Sequence, residues 1–207
     1  MDAEVFMETL EDFTELDLQP FFDAQIFQPG FSTWLIDSTS TTFSDGEYET
    51  ALYLNQKLRA CSSFHENEPL DVTLWDASWD TTVVQIRVGG EYDVATISHT
   101  DPFILVALNT DGKLNQGRLD NTLSINEPTG LSSIPWVEMR MGCDEINDSV
   151  IVRLEHHWAA PDNEPTAFYI DEISDTHFWT VDGTWGDEIE GTNALVLDAR
   201  FSYVGNN

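Results

Sequence analysis

The alternation of apolar and polar residues restricts the fold of this chain more than any other feature. Between Ser149 and His156, apolar Val150, Val152 and Leu154 stand at every second position. Because successive side chains of a β-strand point to opposite faces of the sheet, this spacing predicts a strand with one buried face. Alternations or short apolar runs predict further strands at Leu70–Trp75, Val84–Val88, Tyr92–Ser98, Phe103–Leu108, Asn121–Ile125, Trp136–Met141, Phe168–Ile173 and Leu195–Val204.

Residue pairs that favour tight turns separate many of these segments. Asp-Gly and Gly-Gly pairs readily adopt the positive φ angles of two-residue hairpin loops. Hairpins are therefore predicted at Asp45-Gly46, Gly89-Gly90, Asp111-Gly112 and Asp182-Gly183. Helical spacing is confined to Phe6, Leu10 and Phe13, so residues 4–16 are either one short helix or a strand followed by a loop.

Short strands joined by tight turns predict an all-β fold. The simplest form is an antiparallel two-sheet β-sandwich, a jelly roll, with at most one short helix. We expect residues 24–207 to form a single jelly-roll domain, since no sequence repeat divides them. Residues 1–23 are either the first strand of this sandwich, the favoured interpretation, or an arm that docks onto another protein. The docking arm is suggested by a run of apolar residues that one core need not accommodate: Val5, Phe6, Leu10, Phe13, Phe21 and Phe22.

The charge of the chain predicts its environment. It carries 38 acidic and 8 basic residues, a net charge of −30 over 207 residues. Such a surface repels itself in dilute salt, whereas in molar salt the Debye length falls to about 3 Å and screens the repulsion. We therefore predict a protein adapted to very high salt. Disorder is disfavoured by the 41% of hydrophobic residues, an acidic tail by the even spread of the acids, and nucleic-acid binding by the missing basic surface.

The N-terminal sequence and the cysteines bear on the compartment. The N-terminus has neither the basic region nor the apolar core of a secretory signal, and no segment approaches the ~18 apolar residues of a spanning helix. We expect a chain that is assembled inside the cell and is not inserted into a membrane. Cys61 and Cys143 are the only cysteines, and they could pair or remain two thiols. The missing export signal favours two free thiols.

Six segments follow one another in an informative order. They are ETLEDF (Glu8–Phe13), DGEYETALYL (Asp45–Leu54), FILVALNTDGKL (Phe103–Leu114), IPWVEMR (Ile134–Arg140), FYIDEI (Phe168–Ile173) and LVLDARFSYV (Leu195–Val204). This order resembles that of concanavalin A-like and laminin G-like jelly rolls and of related carbohydrate-binding modules. The resemblance covers most of the chain and agrees with the predicted jelly roll.

The resemblance also implies a cofactor and argues against an enzyme. Such modules often hold a structural Ca²⁺ between acids of the first and closing strands, and the matching positions are Glu11, Asp12 and Asp198. These three acids could equally belong to the salt-adapted surface. The paired-carboxylate strand of laminarinase-like relatives, E-x-D-x-x-E, is not matched by Asp171-Glu172 or by residues 187–190. We therefore expect no catalytic residues.

Tryptophan and histidine supply the other candidate binding residues. A loop tryptophan can stack its ring on a sugar, although core or interface packing is the commoner role. The candidates for a glycan site or an interface are Trp75, Trp79, Trp179 and Trp185. The adjacent His156 and His157 would face opposite ways on a strand and could not chelate one metal together. We expect each to be solvent-facing or satisfied by a hydrogen bond.

These features together predict a non-enzymatic virion protein of a halophilic archaeal virus, in a capsid decoration, turret, spike or tail fibre. The expected partners are other virion proteins, further copies of the chain in a homo-oligomer, and a glycan of the host surface. A soluble haloarchaeal carbohydrate-binding module is the alternative. A glycoside hydrolase is the third and least supported interpretation.

Overall fold

The structure, a computed structural model, describes residues 2–114, 116–146, 149–162, 173–184 and 195–201, the last range as backbone only. These ranges contain two α-helices, α1 (Ala3–Thr14) and α2 (Gln19–Gln25), and one 3-10 turn, Pro135–Val137. The twelve strands are β1 (Phe31–Ser44), β2 (Glu47–Arg59), β3 (Glu68–Trp75), β4 (Thr81–Val88), β5 (Tyr92–His99), β6 (Leu105–Leu108), β7 (Arg118–Ile125), β8 (Ser132–Ile134), β9 (Met139–Ile146), β10 (Val150–His157), β11 (Phe178–Gly183) and β12 (Leu195–Phe201). Every pair of these strands is antiparallel, which confirms the predicted all-β class.

The N-terminal segment forms two helices, α1 and α2, which is one more than the prediction of at most one short helix allows. The side chain of Asp2 caps α1 by accepting a hydrogen bond from the Val5 amide at 2.9 Å. Glu15, in the left-handed region at φ 59°, ends α1. Pro20 lies in the first turn of α2, where its missing N–H costs nothing. Residues 3–14 therefore form a helix and not the first strand of a sandwich.

The chain divides into two compact units. Unit 1 comprises Met1–Asp76 and Asp80–Gly117, and unit 2 comprises Ala77–Trp79 and Arg118–Asn207. The single jelly roll over residues 24–207 and its face-to-face pairing of two sheets stay predictions.

Each unit has two three-stranded sheets. Unit 1 has the strand orders β1-β2-β5 and β4-β3-β6, and unit 2 has β11-β10-β7 and β12-β9-β8. In unit 1 one buried cluster takes Trp34 and Leu52 from the first sheet and Leu70 and Val72 from the second. In unit 2 the predicted alternation is confirmed, because Val150, Val152 and Leu154 are buried in a cluster with Met139, Met141 and Cys143.

The two units share one pattern of strand pairing. In unit 1, β2 pairs with β1 and β5, while β3 pairs with β4 and β6. In unit 2, β9 pairs with β8 and β12, while β10 pairs with β11 and β7. A shift of seven strands thus relates β1–β5 to β8–β12, and β7 takes the place that β6 has in unit 1. The strand pairing of unit 2 is therefore a circular permutation of that of unit 1. The sequence contains no visible repeat that would predict this correspondence.

The predicted turns have mixed outcomes. Asp45 and Gly46, with φ of 54° and 90°, form the tight β1–β2 hairpin as predicted. Gly89-Gly90 is not a hairpin loop, because β4 and β5 pair with different strands. Gly183 lies within β11 opposite Val152, and a Cβ there would collide with the Ile151 carbonyl. The missing side chain of Gly183 therefore lets β11 approach β10 closely, and the residue does not form a turn.

Two predicted strands need separate comment. Trp136–Met141 begins with the 3-10 turn, since Pro135 starts that turn and Glu138 ends it at φ 51°. Strand β9 begins only at Met139. Phe168–Ile173, apart from Ile173 itself, lies outside the described residues.

Candidate functional site

An exposed apolar surface is formed by the two N-terminal helices and by the residues that follow each of them. Its members, here called the apolar helix face, are Val5, Phe6, Phe13, Leu16, Phe21, Ile26 and Phe27, and they are 40 to 86% exposed. Phe22 is buried beneath them, with ring centroids 6.3 Å from Phe6, 6.0 Å from Phe21 and 5.7 Å from Phe27. Phe6, Phe21 and Phe27 thus cluster around Phe22, and an exposed apolar cluster of this kind is typical of an interaction surface.

The charged residues of the segment that carries this face are all acidic. Residues 1–56 contain twelve acids and no lysine or arginine, the first basic residue being Lys57. On α1 itself Glu4, Glu8 and Asp12 are exposed. The segment that carries the apolar helix face is therefore strongly negative.

A buried polar cluster, here called the Glu68 cluster, anchors α2 to β1 and β3. Both Glu68 and His65 are 3% exposed. Glu68 accepts hydrogen bonds from Trp34 Nε1 at 2.8 Å, from His65 Nδ1 at 2.9 Å and from Gln25 Nε2. Burial raises the pKa of Glu68, but these hydrogen bonds outweigh it and hold the pKa below its usual value. Glu68 is therefore a buried carboxylate.

The Glu68 cluster also includes a serine, although it is not arranged as a catalytic triad. Ser32 Oγ lies 3.1 Å from His65 Nδ1, the same nitrogen that contacts Glu68. A nucleophile and an orienting carboxylate must occupy opposite nitrogens of the imidazole. This geometry therefore orients the ring and offers no general base to Ser32.

A pocket of about 340 Å³ lies beside this cluster. We call it the α2 pocket. It is lined by Gln19, Pro20, Asp23, Ala24 and Gln28, with Asp17 and the loop residues Ser63, Phe64, His65 and Glu66. The pocket therefore shares helix α2 with the apolar helix face.

A second pocket of unit 1, of about 290 Å³, combines aromatic and acidic side chains. The His99 ring stacks on Tyr48 with centroids 5.4 Å apart and lies 5.3 Å from Phe103. The residues that matter most for ligand chemistry in the lining are His99, Phe103, Asp76, Asp80, Asp101 and Thr82. An aromatic face beside carboxylates suits a ligand with apolar C–H groups and hydroxyls.

Unit 2 buries a network of charges on the outer face of β7 and β10. Asp120 Oδ2 lies 3.2 Å from Arg118 Nε and 2.9 Å from Arg153 Nη2, and Glu155 Oε1 lies 3.3 Å from Arg118 Nη1 and 3.1 Å from Arg153 Nε. Each carboxylate thus sits between two guanidinium groups. The side chains of Arg118 and Arg153 are only 2 and 5% exposed.

The network determines the protonation of its members. Burial raises the pKa of Glu155, but Arg118, His157 and Arg153 together hold it far below its usual value. Burial lowers the pKa of His157, which outweighs the 3.0 Å contact with Glu155. The structure therefore holds Glu155 ionised and His157 neutral, and both histidines of the pair are buried, contrary to a solvent-facing role.

The predicted calcium ligands occupy unexpected positions. Glu11 and Asp12 lie on α1 and not on a strand, and Glu11 Oε1 accepts a hydrogen bond from the Leu18 amide at 2.8 Å. The side chain of Asp198 lies outside the described residues. Within the described part of the chain, no group of three or more His, Cys, Asp and Glu is placed to hold a metal ion. The calcium site stays a prediction.

The predicted tryptophan site does not assemble from side chains exposed to solvent. Trp75 is buried, and Trp79 and Trp179 are half-buried. Trp179 stacks on His156 at 4.4 Å and donates a hydrogen bond to the Val137 carbonyl at 2.8 Å, as a packing residue does. Trp185 lies outside the described residues. Trp136, which was not singled out, is 71% exposed on the 3-10 turn.

Both cysteines are free thiols, Cys143 buried and Cys61 partly so, which confirms the favoured alternative. Burial raises the pKa of both thiols, which disfavours a reactive thiolate. Neither helix in the described ranges is long and apolar enough to cross a membrane. Comparisons with family models, with curated proteins and with solved structures found no match.

Proposed function

We propose that this chain is a non-enzymatic structural protein of a salt-adapted virus particle, and that it docks onto another particle protein through the apolar helix face. The observation that carries the proposal is the exposure of this face, with Phe13 86% and Leu16 60% exposed. Apolar association is retained in concentrated salt, whereas contacts between exposed charges are screened there. An apolar docking face therefore suits assembly at high salt.

Charges that come into direct contact lie within the Debye length of about 3 Å, so the acids of this segment still distinguish the possible occupants in molar salt. Pairing of this face with the same face of a second copy would oppose two acidic segments that have no basic residue before Lys57. A groove with an apolar floor and a rim of lysine or arginine complements it far better. We therefore propose a different, basic particle protein as the occupant. The expected homo-oligomer stays a prediction and would use other surfaces.

The docking proposal is tested on the particles themselves. Virus particles purified from a high-salt culture that expresses the chain should contain it in a fixed ratio to the major coat protein, as measured by quantitative mass spectrometry. The substitutions Phe13→Ser and Phe21→Ser together should exclude the chain from the particles. Phe43→Ser with Tyr92→Ser, which removes two comparably exposed rings elsewhere, should leave incorporation unchanged. Recovery of the chain only outside the particles would refute the proposal.

The second pocket of unit 1 favours carbohydrate binding as a second candidate function. Its His99 and Phe103 rings offer a stacking surface, and Asp76, Asp80 and Asp101 offer acceptors for sugar hydroxyls. A panel of neutral oligosaccharides is the test, with thermal unfolding in molar salt as the readout. A sugar that protects the wild type but not the Phe103→Ala variant would support this function. No protection by any sugar at millimolar concentration would remove it.

A further inference from the structure

The second half of β1, Ser38–Ser44, is an open edge of its sheet. Strand β2 lies between β1 and β5, so β1 has only one neighbour in the sheet β1-β2-β5. The first half of β1 has a further neighbour, because Ser32 forms a parallel bridge with Gln116. Every residue of Ser38–Ser44 is exposed, and among the described residues this stretch pairs with β2 alone.

The other edges of unit 1 are less accessible to a further strand. Strand β5, at the opposite edge of the same sheet, contacts β4, which is an edge strand of the sheet β4-β3-β6. Strand β6, at the other edge of that sheet, has four residues, of which three are buried. Within unit 1, Ser38–Ser44 is therefore the edge best placed to accept another strand.

The backbone groups of this stretch point outwards at every second residue. Asp45 and Gly46 form a two-residue loop, which makes Ser44 and Glu47 a hydrogen-bonded pair. Backbone groups alternate in direction along an antiparallel strand, so Ser44 and the even-numbered residues before it bond to β2. The N–H and C=O groups of the odd-numbered residues point to the open edge. These residues are Thr39, Thr41 and Phe43.

The stretch lacks the features that protect an exposed edge from pairing. Native edge strands are commonly protected by charged residues, by proline or by a bulge. The sequence of Ser38–Ser44, STSTTFS, has no charge and no proline, in a chain with 38 acidic residues. The register shift of β1 lies before it, between Ile36 and Ser38. A second uncharged strand can therefore approach this edge without the repulsion that an acidic strand would meet.

We propose that two copies of this chain associate by antiparallel pairing of Ser38–Ser44, about a two-fold axis at Thr41. Thr41 lies opposite Thr41 of the second copy, and Thr39 lies opposite Phe43. Each of these pairs exchanges two hydrogen bonds, so about six backbone hydrogen bonds join the copies. The two sheets become one in the order β5-β2-β1-β1-β2-β5, through the same residues of each copy.

The polarity of the stretch favours a second copy as the partner. Its residues are nearly symmetric about Thr41, because Ser40 comes opposite Thr42 and Ser38 opposite Ser44. Hydroxyl side chains on paired strands stabilise each other by hydrogen bonds. This self-association uses none of the apolar helix face, so it goes beyond the docking function and is independent of it.

The residues that flank the stretch make this association depend on salt. Asp37 precedes it and Asp45 follows it. The antiparallel register brings Asp37 of one copy near Asp45 of the other at both ends of the interface. Like charges in this position oppose pairing, and molar salt screens them. The dimer is therefore expected to form in concentrated salt and to weaken as the salt is diluted.

The first experiment measures the mass of the full chain by light scattering in about 3 M salt, where the surface charge is screened. We expect a dimer. Thr39→Pro removes an N–H that points away from β2, so it should give a monomer with the circular dichroism of the wild type. Phe13→Ser with Phe21→Ser, in the apolar helix face, should remain dimeric. A monomeric wild type, or a dimer that survives Thr39→Pro, would overturn the proposal.

The second experiment tests the register by crosslinking and needs no proline. Thr41→Cys, in a Cys61→Ser background, should form a disulfide-linked dimer on mild oxidation, since the axis places its two Cα atoms about 5.5 Å apart. Ser38→Cys is the matched control. Its two copies lie roughly 20 Å apart in this register, so it should stay monomeric on a non-reducing gel. Equal crosslinking of the two variants would contradict the two-fold axis at Thr41.

The third experiment tests the acids at the ends of the interface in about 0.3 M salt, where the Debye length is about 6 Å. Asp37→Asn with Asp45→Asn should lower the dimer dissociation constant at least about tenfold, as measured by light scattering over a dilution series. Asparagine also accepts the positive φ of position 45. Glu8→Gln with Asp12→Asn removes the same charge from α1 and should have a much smaller effect. Equal gains would assign the salt dependence to general repulsion and count against this interface.

Discussion

At the scale of single residues, Glu68 differs from most acids of this chain because the fold buries it. The carboxylate replaces its lost hydration with hydrogen bonds from Trp34, His65 and Gln25. These donors come from β1, from the loop before β3 and from α2. Glu68 thus holds the helix that carries the apolar helix face and the α2 pocket.

Removal of the Glu68 charge should be costly. Glu68→Gln keeps the shape but weakens three hydrogen bonds to an ionised acceptor, so we expect the free energy of unfolding to fall by about 2 to 3 kcal/mol. Urea denaturation in molar salt measures this fall in the free energy of unfolding. Glu47→Gln, an exposed position on β2, is the control and should change stability by less than about 0.5 kcal/mol. A Glu68→Gln loss no larger than that of the control would contradict the assigned role.

The buried charge network of unit 2 predicts a pH dependence with a definite sign. Both Glu155 and His157 have folded pKa values below their unfolded values of about 4.5 and 6.5, so the unfolded state binds protons first as the pH falls. Stability should therefore fall below pH 6.5 as His157 charges on unfolding, and more steeply below pH 4.5. For each group, every pH unit between its folded and its unfolded pKa contributes about 1.4 kcal/mol to the free energy of unfolding.

This dependence is measured by urea denaturation in molar salt, where neutralisation of the surface acids matters least. His157→Gln should lose the decline that begins near pH 6.5 and keep the one below pH 4.5. A free energy of unfolding that rises as the pH falls from 7 to 5 in molar salt would contradict the neutral, buried His157.

Sequence reasoning found few of these residues, for a physical reason. Glu68 and His65 carry no motif, and among 38 acids nothing in the sequence distinguishes a buried carboxylate from a surface one. The distinguishing information is the approach of Trp34 and Gln25, which are distant in the chain. Arg153 and Glu155 alternate with the apolar residues of β10, and the burial of their face of the strand depends on tertiary structure and not on alternation.

At the scale of elements, the β1–β2 hairpin offers the sharpest local test. Gly46 has φ 90° with no atom near its missing Cβ, so an alanine there is opposed only by backbone strain. Gly46→Ala should destabilise the protein by about 1 kcal/mol. Gly130 is equally open and has no positive φ, so Gly130→Ala should be neutral or slightly stabilising. Thermal unfolding of the two variants decides, and equal effects would contradict the assigned turn.

The strands that the sequence predicts are those whose two faces differ in polarity. Strands β4 and β5 bury apolar residues on one face and expose most of the other. Strands β3 and β10 are buried on both faces, but apolar and polar residues still alternate along them, so the sequence predicts all four segments. Strand β1 was not predicted as a strand, because its second half, Ser38–Ser44, is exposed throughout and rich in serine and threonine. This half of β1 is a strand because it pairs with β2 along its whole length, and its own sequence does not predict it. The sequence does not distinguish a helix from a strand over residues 3–14, because one short periodic stretch is compatible with both.

At the scale of the whole molecule, charge and topology act at different ranges. Two sets of six strands repeat one pairing pattern. In each unit two hairpins pair strands that are consecutive in the chain, and two further pairs join strands that are distant in the chain. The net charge of −30 acts on all of them together through self-repulsion. Unit 2 pairs Arg118 and Arg153 with buried carboxylates, which leaves even fewer cations to offset the surface acids. Stability should therefore follow ionic strength and not any one surface ion pair.

The self-repulsion of the surface charge can be tested by neutralising acids in two separate places. Glu8→Gln, Asp12→Asn and Glu15→Gln on α1 change the net charge from −30 to −27, and so do Asp37→Asn, Glu47→Gln and Glu49→Gln on β1 and β2. If repulsion is a property of the whole surface, both triple variants should raise the thermal midpoint by about 5 °C in roughly 0.1 M salt and by little in roughly 3 M salt, where screening is nearly complete. A gain confined to the α1 variant would instead indicate relief of acids at the C-terminal end of that helix. Equal stability of the wild type at the two salt concentrations would refute the salt-adapted surface altogether.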